Sequence, residues 1–259
     1  MEIFVITHKK VDMIPKDGIY RFIQVGAEGK EHFEQITDDS GDNISNKNPN
    51  YCELTGMYWL WKHEKTDIIG LCHYRRFFTN RLGYINKILF GINTNILKEK
   101  TIRRILGKYD VILTRSEHFN SIPIKARYKK SHNLRDLNVI EDIIKEKYPD
   151  YIDAYNTVMN GVVFNYANML ICRKEVFDAY SSWLFNILFE LEKRIDISGY
   201  NQYQSRIFGF ISERIMRVWF IKNKMRIKEL PIINTDDPCF IKWQIRRSRQ
   251  KKLKRQGTK

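Results

Sequence analysis

The sequence predicts an α/β fold in which a mostly parallel sheet is flanked by helices. Three observations lead there. Apolar, β-branched runs at Glu2–Thr7, Tyr20–Val25 and Asp67–Cys72 read as buried strands. A stretch with Leu54, Tyr58 and Trp61 at helical spacing stands between the second and third of these runs. The chain has 259 residues, 43% of them hydrophobic, which suits one large domain with a sizeable core.

Each element has its own signal. Glu2–Thr7 ends in polar residues, and Tyr20–Val25 is closed by Gly26. Residues 27–50 are polar and rich in Asp, Asn, Ser and Gly, a loop long enough to suggest function. Asn50-Tyr51-Cys52-Glu53 has the form of a capping box and predicts a helix over 51–63. Asp67–Cys72 then delivers His73-Tyr74-Arg75-Arg76 at its carboxyl end, and Tyr109–Leu113 is a further short strand. Leu134–Lys147 reads as a helix stopped before Pro149, and Tyr151–Met159 continues in helical style. Asn168–Cys172 is a strand. Lys174–Arg194 is a long amphipathic helix with apolar residues at 177, 180, 184, 187, 188 and 191. Gln204–Lys224 is a second long helix and Ile227–Ile233 a last strand.

In open α/β sheets, ligands sit beyond the carboxyl ends of the strands. Thr7, His8, Gly26, the 38–50 loop and His73 to Arg76 are therefore expected along one edge. No apolar run approaches the ~20 residues of a membrane span. The opening Met1-Glu2-Ile3-Phe4 lacks the marks of a signal peptide, so the expected location is cytoplasmic. Cys52, Cys72, Cys172 and Cys239 form no close pair and read as small buried hydrophobes. The net charge is +15, yet residues 242–259 carry nine Lys or Arg and no acid, leaving +6 for the other 241 residues. The chain accordingly divides into a domain at 1–241 and a basic tail at 242–259.

Two arginines behind a buried strand suit the forked, charge-assisted grip of a diphosphate. Strand alternation would aim Arg75 and Arg76 to opposite sides, so either is the candidate clamp; an exposed basic turn is the plainer reading. His73 and His8 are candidates for phosphate or sugar contacts, and a structural role is the alternative for His8. Asp42 or Asn43 would bond base or ribose, unless the loop is only a solvated turn. Glu213 is a candidate base for an acceptor hydroxyl, against an ordinary i,i+4 ion pair with Arg217. Glu53 could be catalytic, but the capping box explains it completely and is the favoured reading. Phosphate-loop and dinucleotide-binding glycine motifs are absent, and no Asp-x-Asp follows the strand at 67–72. Asp38-Asp39 and Asp236-Asp237 are the nearby carboxylate pairs.

Several blocks, taken together, resemble a bacterial family. They are Phe4–Lys9, Ile23–Gly26, Gly41–Ser45 with Asn48-Pro49 and Tyr51–Thr55, Tyr58-Trp59 with Trp61-Lys62, and Gly70–Arg76. Later ones are Asn168-Met169, Trp183–Phe185, Leu191–Arg194 and Phe208–Phe210 with Glu213-Arg214. That family is known as a domain of unknown function in capsule and exopolysaccharide gene clusters. Some members are regarded as galactosyl- or galactofuranosyltransferases. The resemblance covers nearly the whole chain and implies a single-domain GT-A-like fold acting on a nucleotide sugar, with a uridine-type donor. The candidate catalytic residues are Glu213, Arg75 and Arg76, and the candidate donor contacts are Thr7, His8, Gly26, Asp42, Asn43, His73 and Asn168. The acceptor would be lipid-linked or an oligosaccharide. A divalent cation, Mn or Mg, stays open and no metal ligand is assigned; the arginines can replace it as the positive clamp. The tail, with Trp243, Ile245 and Leu253 among its cations, is expected to hold the chain at the anionic inner membrane surface.

Two other readings compete. The sequence pI of about 9.6 suggests a nucleic-acid-binding protein, against which stand the concentration of the charge mainly in the tail and the lack of a recognised nucleic-acid-binding motif in the body. A non-catalytic scaffold of a polysaccharide assembly complex is the third.

Overall fold

The computed structural model describes residues 1–11, 18–90, 96–118 and 122–236. The boundary at 241/242 and the basic tail lie outside the described residues.

The chain opens with β1 (Glu2–Thr7), β2 (Tyr20–Gln24) and β3 (Ile36–Thr37), followed by α1 (Asn48–Tyr51), α2 (Leu54–His63), β4 (Ile68–His73) and β5 (Arg76–Phe78). Next come α3 (Arg81–Phe90), α4 (Glu99–Leu106), β6 (Val111–Thr114), β7 (Glu117–His118), α5 (Ile124–Ser131), α6 (Leu134–Lys147) and α7 (Ile152–Asn160). It closes with β8 (Val163–Phe164), β9 (Leu170–Arg173), α8 (Lys174–Arg194), α9 (Ile207–Lys222), β10 (Ile227–Leu230) and β11 (Ile232–Asn234).

The central sheet runs β10-β6-β9-β4-β1-β2-β3. Its β10–β6, β4–β1, β1–β2 and β2–β3 pairings are parallel, as expected, and β9 runs antiparallel between β6 and β4. Strands covered on both faces need apolar residues at every position. Along β1, Phe4 and Ile6 enter the larger core, packed with α2, α6, α7, α8 and α9, while Ile3 and Val5 enter the smaller core with Phe77, Phe78 and Ile102. Gly70 leaves room between them: a Cβ there would stand 2.6 Å from Ile3 and 2.8 Å from Ile171.

The reversal of β9 matters for function. Its pairing sets Gly70 opposite Ile171 and Ile68 opposite Arg173, so the start of β9 lies beside the carboxyl end of β4. The turn at Ala167 and Asn168 thereby reaches the ligand-binding edge.

Several expectations need correction. The helix expected over 51–63 is two helices, because Pro49 suits a first helical turn and starts α1 early, and Cys52 then breaks the path at φ 54°. The capping box does not form; the Asn50 side chain donates to the Ser205 carbonyl, and no side chain caps α2. The strand expected from Asn168 begins at Leu170, since Asn168 sits at φ 43°. The 27–50 loop contains β3 and a short 3-10 turn at Ser45–Lys47, and a similar turn at Gln204–Arg206 precedes α9. The helices α3, α4 and α5 were not among the expected elements, although α4 carries an apolar face with Ile102 and Leu106 buried. Among the described residues, no helix is long and apolar enough to cross a membrane.

Candidate active site

A cleft of about 630 Å³ opens at the carboxyl ends of β1 and β4. One wall is the β4–β5 hairpin, bearing His73, Tyr74, Arg75 and Arg76. The facing wall is helical: Asn48 and Pro49 from α1, Cys52 and Glu53 from the break after it, Arg206 at the start of α9 and Glu213 two turns on. Ala167 closes the floor.

The floor is a connected hydrogen-bond network. His73 Nε2 lies 2.7 Å from the Ala167 carbonyl oxygen. Opposite a carbonyl, Nε2 must carry the proton, which leaves Nδ1 with the lone pair. Burial pushes the His73 pKa down, so the ring stays neutral. The same peptide unit serves a second group: the Ala167 N–H donates to Glu213 Oε1 at 2.8 Å. Glu213 also accepts from Arg214 at 2.9 Å. The expected i,i+4 partner, Arg217, binds Glu229 and Asn165 instead. Burial raises the Glu213 pKa to about 7, and the nearby Glu53 charge adds to the rise. Arg214, the Ala167 N–H and Arg76 oppose it.

Glu53 accepts from Asn168 Nδ2 at 2.7 Å. The same nitrogen reaches the Gly209 carbonyl at 3.3 Å, while Asn168 Oδ1 is buried without a partner. Ala167 at φ 80°, Asn168 at φ 43° and Cys52 at φ 54° are non-glycine residues in the left-handed region. Strain of this kind, about 1–3 kcal/mol each, persists where the surroundings enforce it and clusters at functional sites. Here it aims one peptide at both His73 and Glu213.

The mouth is cationic. Lys9, Arg75, Lys30 and Arg206 all depress the His8 pKa, after burial as the first cause, and the His8 ring packs edge-on against Tyr74 at 5.2 Å. Arg75 pairs with Asp236 at 3.2 Å, and its guanidinium lies 5.0 Å from the Tyr74 ring centre. Both partners are about half exposed, so the pair is weak and separable. No carboxylate among the described residues pairs with Arg76, although it lies close enough to Glu213 and His73 to disfavour a proton on each. The hairpin turn defeats strict alternation, and both arginines line the cleft.

Of the residues the sequence singled out, the structure brings together His8, His73, Arg75, Arg76 and Glu213, with Asn168 directly behind Glu53. Thr7, Gly26, Asp42 and Asn43 do not line the cleft. Thr7 is fully buried and its hydroxyl bonds the Lys9 carbonyl. Gly26, at φ 60°, makes room for Asn48, whose side chain would meet a Cβ there at 2.6 Å. Asp42 accepts from Tyr58 and pairs with Lys62, and Asn43 holds the local turn through Gly41 and Ser45. Asp38 is buried, accepting from the Gly26 and Ala27 N–H groups and from Ser45 Oγ, and Asp39 binds His32; both carboxylates fasten the loop. Sequence reasoning set Glu53 aside and did not single out Arg206, and both line the cleft. Glu53 carried a signal, which the apparent capping box absorbed; Arg206 carried none. Cys52, Cys72 and Cys172 are free thiols, with Cys52 facing Arg206 at 3.2 Å.

This architecture is similar to a solved structure described as the WbbM bifunctional glycosyltransferase apo structure. The TM-score is 0.80 at 31% identity, over 91% of this chain and 45% of that one. The chain thus spans less than half of that protein's length. No curated protein matches the sequence. The shared architecture is a GT-A-like fold, with a central sheet flanked by helices. Residues 2–224 match a family profile, and the chain belongs to that family, described as a domain of unknown function, DUF4422.

Proposed function

We propose that this chain is a glycosyltransferase. It would move a hexose, galactose or galactofuranose, from a uridine-type nucleoside diphosphate sugar to a lipid-linked or oligosaccharide acceptor in surface polysaccharide synthesis. One observation carries the reading: a cleft with arginines at its mouth and a high-pKa carboxylate on its floor, in a fold similar to a glycosyltransferase. Glycosyl transfer has two electrostatic requirements. The departing diphosphate gains negative charge, and the acceptor hydroxyl must lose a proton. Arg75, Arg76 and Arg206 supply the positive clamp; preorganised charges aimed at developing charge are the largest usual source of catalysis. Glu213, held by Ala167 and Arg214, is the base, and a pKa near the working pH suits that task. Glu53 is its charged neighbour.

Among the described residues no group of three or more His, Cys, Asp or Glu is placed to hold a metal ion. We assign the diphosphate to the arginines that line the cleft. The reaction would take place in the cytoplasm at the inner membrane surface, with the basic tail as one attachment.

The test is a thermal-shift screen against uridine, guanosine and thymidine diphosphate sugars, with and without manganese. A ligand that binds only the native state raises its melting temperature. Uridine diphosphate sugars should shift it in both conditions. No shift with any nucleotide sugar would overturn the proposal.

A further inference from the structure

Among the described residues large apolar side chains are mostly buried, and the exposed ones concentrate on one helix. Five stand clearly exposed among the described residues, and three of them, Leu82, Ile85 and Leu89, are on α3. Their exposures are 64%, 39% and 38%. Spacings of three and four put all three on one face of the helix. Gly83 is buried on the opposite side, where α3 rests against β11. The stripe is therefore an outer face of a packed helix, with no described element covering it.

The surroundings are cationic. α3 contains no acidic residue and begins with the exposed Arg81. The Arg115 guanidinium lies 5.7 Å from the centre of the Tyr84 ring on the same helix. Asn80, immediately before α3, borders an open groove of about 380 Å³ lined also by Arg104, Lys108 and Lys228. None of these three cations has a carboxylate partner among the described residues. The nearby Glu99 is engaged by Arg103.

We propose that α3 is a docking face for an anionic lipid bilayer, with Leu82, Ile85 and Leu89 entering the headgroup boundary and Arg81, Arg104, Lys108, Arg115 and Lys228 meeting lipid phosphates. An apolar stripe bordered by cations is the pattern of a helix lying in the membrane interface. Charge complementarity selects this occupant. A second copy docked through the same face about a two-fold axis would oppose cation to cation. The chain's own 242–259 segment, with nine basic residues and no acid, would be repelled by the same groups. This surface belongs to the folded domain and is distinct from the tail; it does not depend on the assignment of the cleft.

The experiment is co-sedimentation of the full chain with phosphatidylglycerol–phosphatidylethanolamine vesicles and with phosphatidylcholine vesicles. Four forms are compared: the parent, a form with the tail Lys and Arg changed to Gln, Leu82→Glu/Ile85→Glu/Leu89→Glu, and Leu82→Trp. The tail-neutralised form should still bind anionic vesicles, more weakly as salt rises. The triple Glu form should bind about tenfold or more weakly than the parent, since it removes the insertion and adds repulsion. The single, nearly conservative Leu82→Trp change should give a blue-shifted emission component on anionic vesicles alone. Three results overturn the proposal. The folded triple variant could bind as tightly as the parent; tail neutralisation could abolish binding entirely; or Leu82→Trp emission could stay unchanged while the protein sediments. Light scattering that shows a dimer lost in the triple variant would assign the face to a second copy instead.

Discussion

Replacing Glu213 with Gln should make the protein more stable at alkaline pH while removing its activity. The structure gives the reason. Burial is the first cause that raises the Glu213 pKa from 4.5 to about 7, and Glu53 adds to it. Between those values the folded chain holds a proton that the unfolded chain has released. The native state binds more protons there, so stability falls as pH rises through this window. Above pH 7 the full penalty applies, about 3 kcal/mol at 1.36 kcal/mol per unit. Glu213 is 17% exposed, so solvent screens this little. Gln keeps the shape and can still accept the Ala167 N–H, but it never ionises. For a domain of this size, about 3 kcal/mol corresponds to roughly 6–12 °C in melting temperature. The assay is a set of melting curves from pH 5 to 9 for both proteins, beside turnover with a nucleotide sugar. The two melting temperatures should agree near pH 5 and separate progressively above it. A gap that does not change with pH, or a folded Glu213→Gln protein with full turnover, would refute the reasoning.

Two further outcomes test the cleft. Arg76→Ala or Arg75→Ala should lower turnover by about a hundredfold, the scale of losing one charge-stabilising donor, and full activity in both folded single variants would dismiss the clamp. Glu53→Gln removes the charge that helps hold the Glu213 pKa up, so the acid limb of the pH–rate profile, below which the base is protonated, should move to lower pH; an unmoved limb would mean that the two carboxylates do not communicate.

Local signals in the sequence determined the elements with strong periodicity. β1, α6 and α8 have the predicted bounds, because an apolar run or a 3.6-residue stripe reports burial wherever the chain is placed. The edge that holds the cleft was also legible, since the carboxyl ends of parallel strands converge whatever loops follow them. His8, His73, Arg75 and Arg76 were found on that principle. The direction of β9 was not legible: a four-residue strand reads the same both ways, and only its partners β4 and β6 decide. That direction carries Ala167 and Asn168 to the site. Glu53 shows the same limit from the other side. Asn-x-x-Glu satisfies the local rule for a cap, but Pro49 starts the helix early and Asn168, 115 residues on, holds the carboxylate at the cleft. The apparent pair of Glu213 with Arg217 failed likewise, because Glu229 on β10 takes Arg217 and leaves Glu213 buried among Arg214, the Ala167 N–H and Glu53. Tertiary contacts override short-range pairing when burial raises the cost of an unsatisfied charge, and that cost is a property of the assembled core, not of neighbours in the chain.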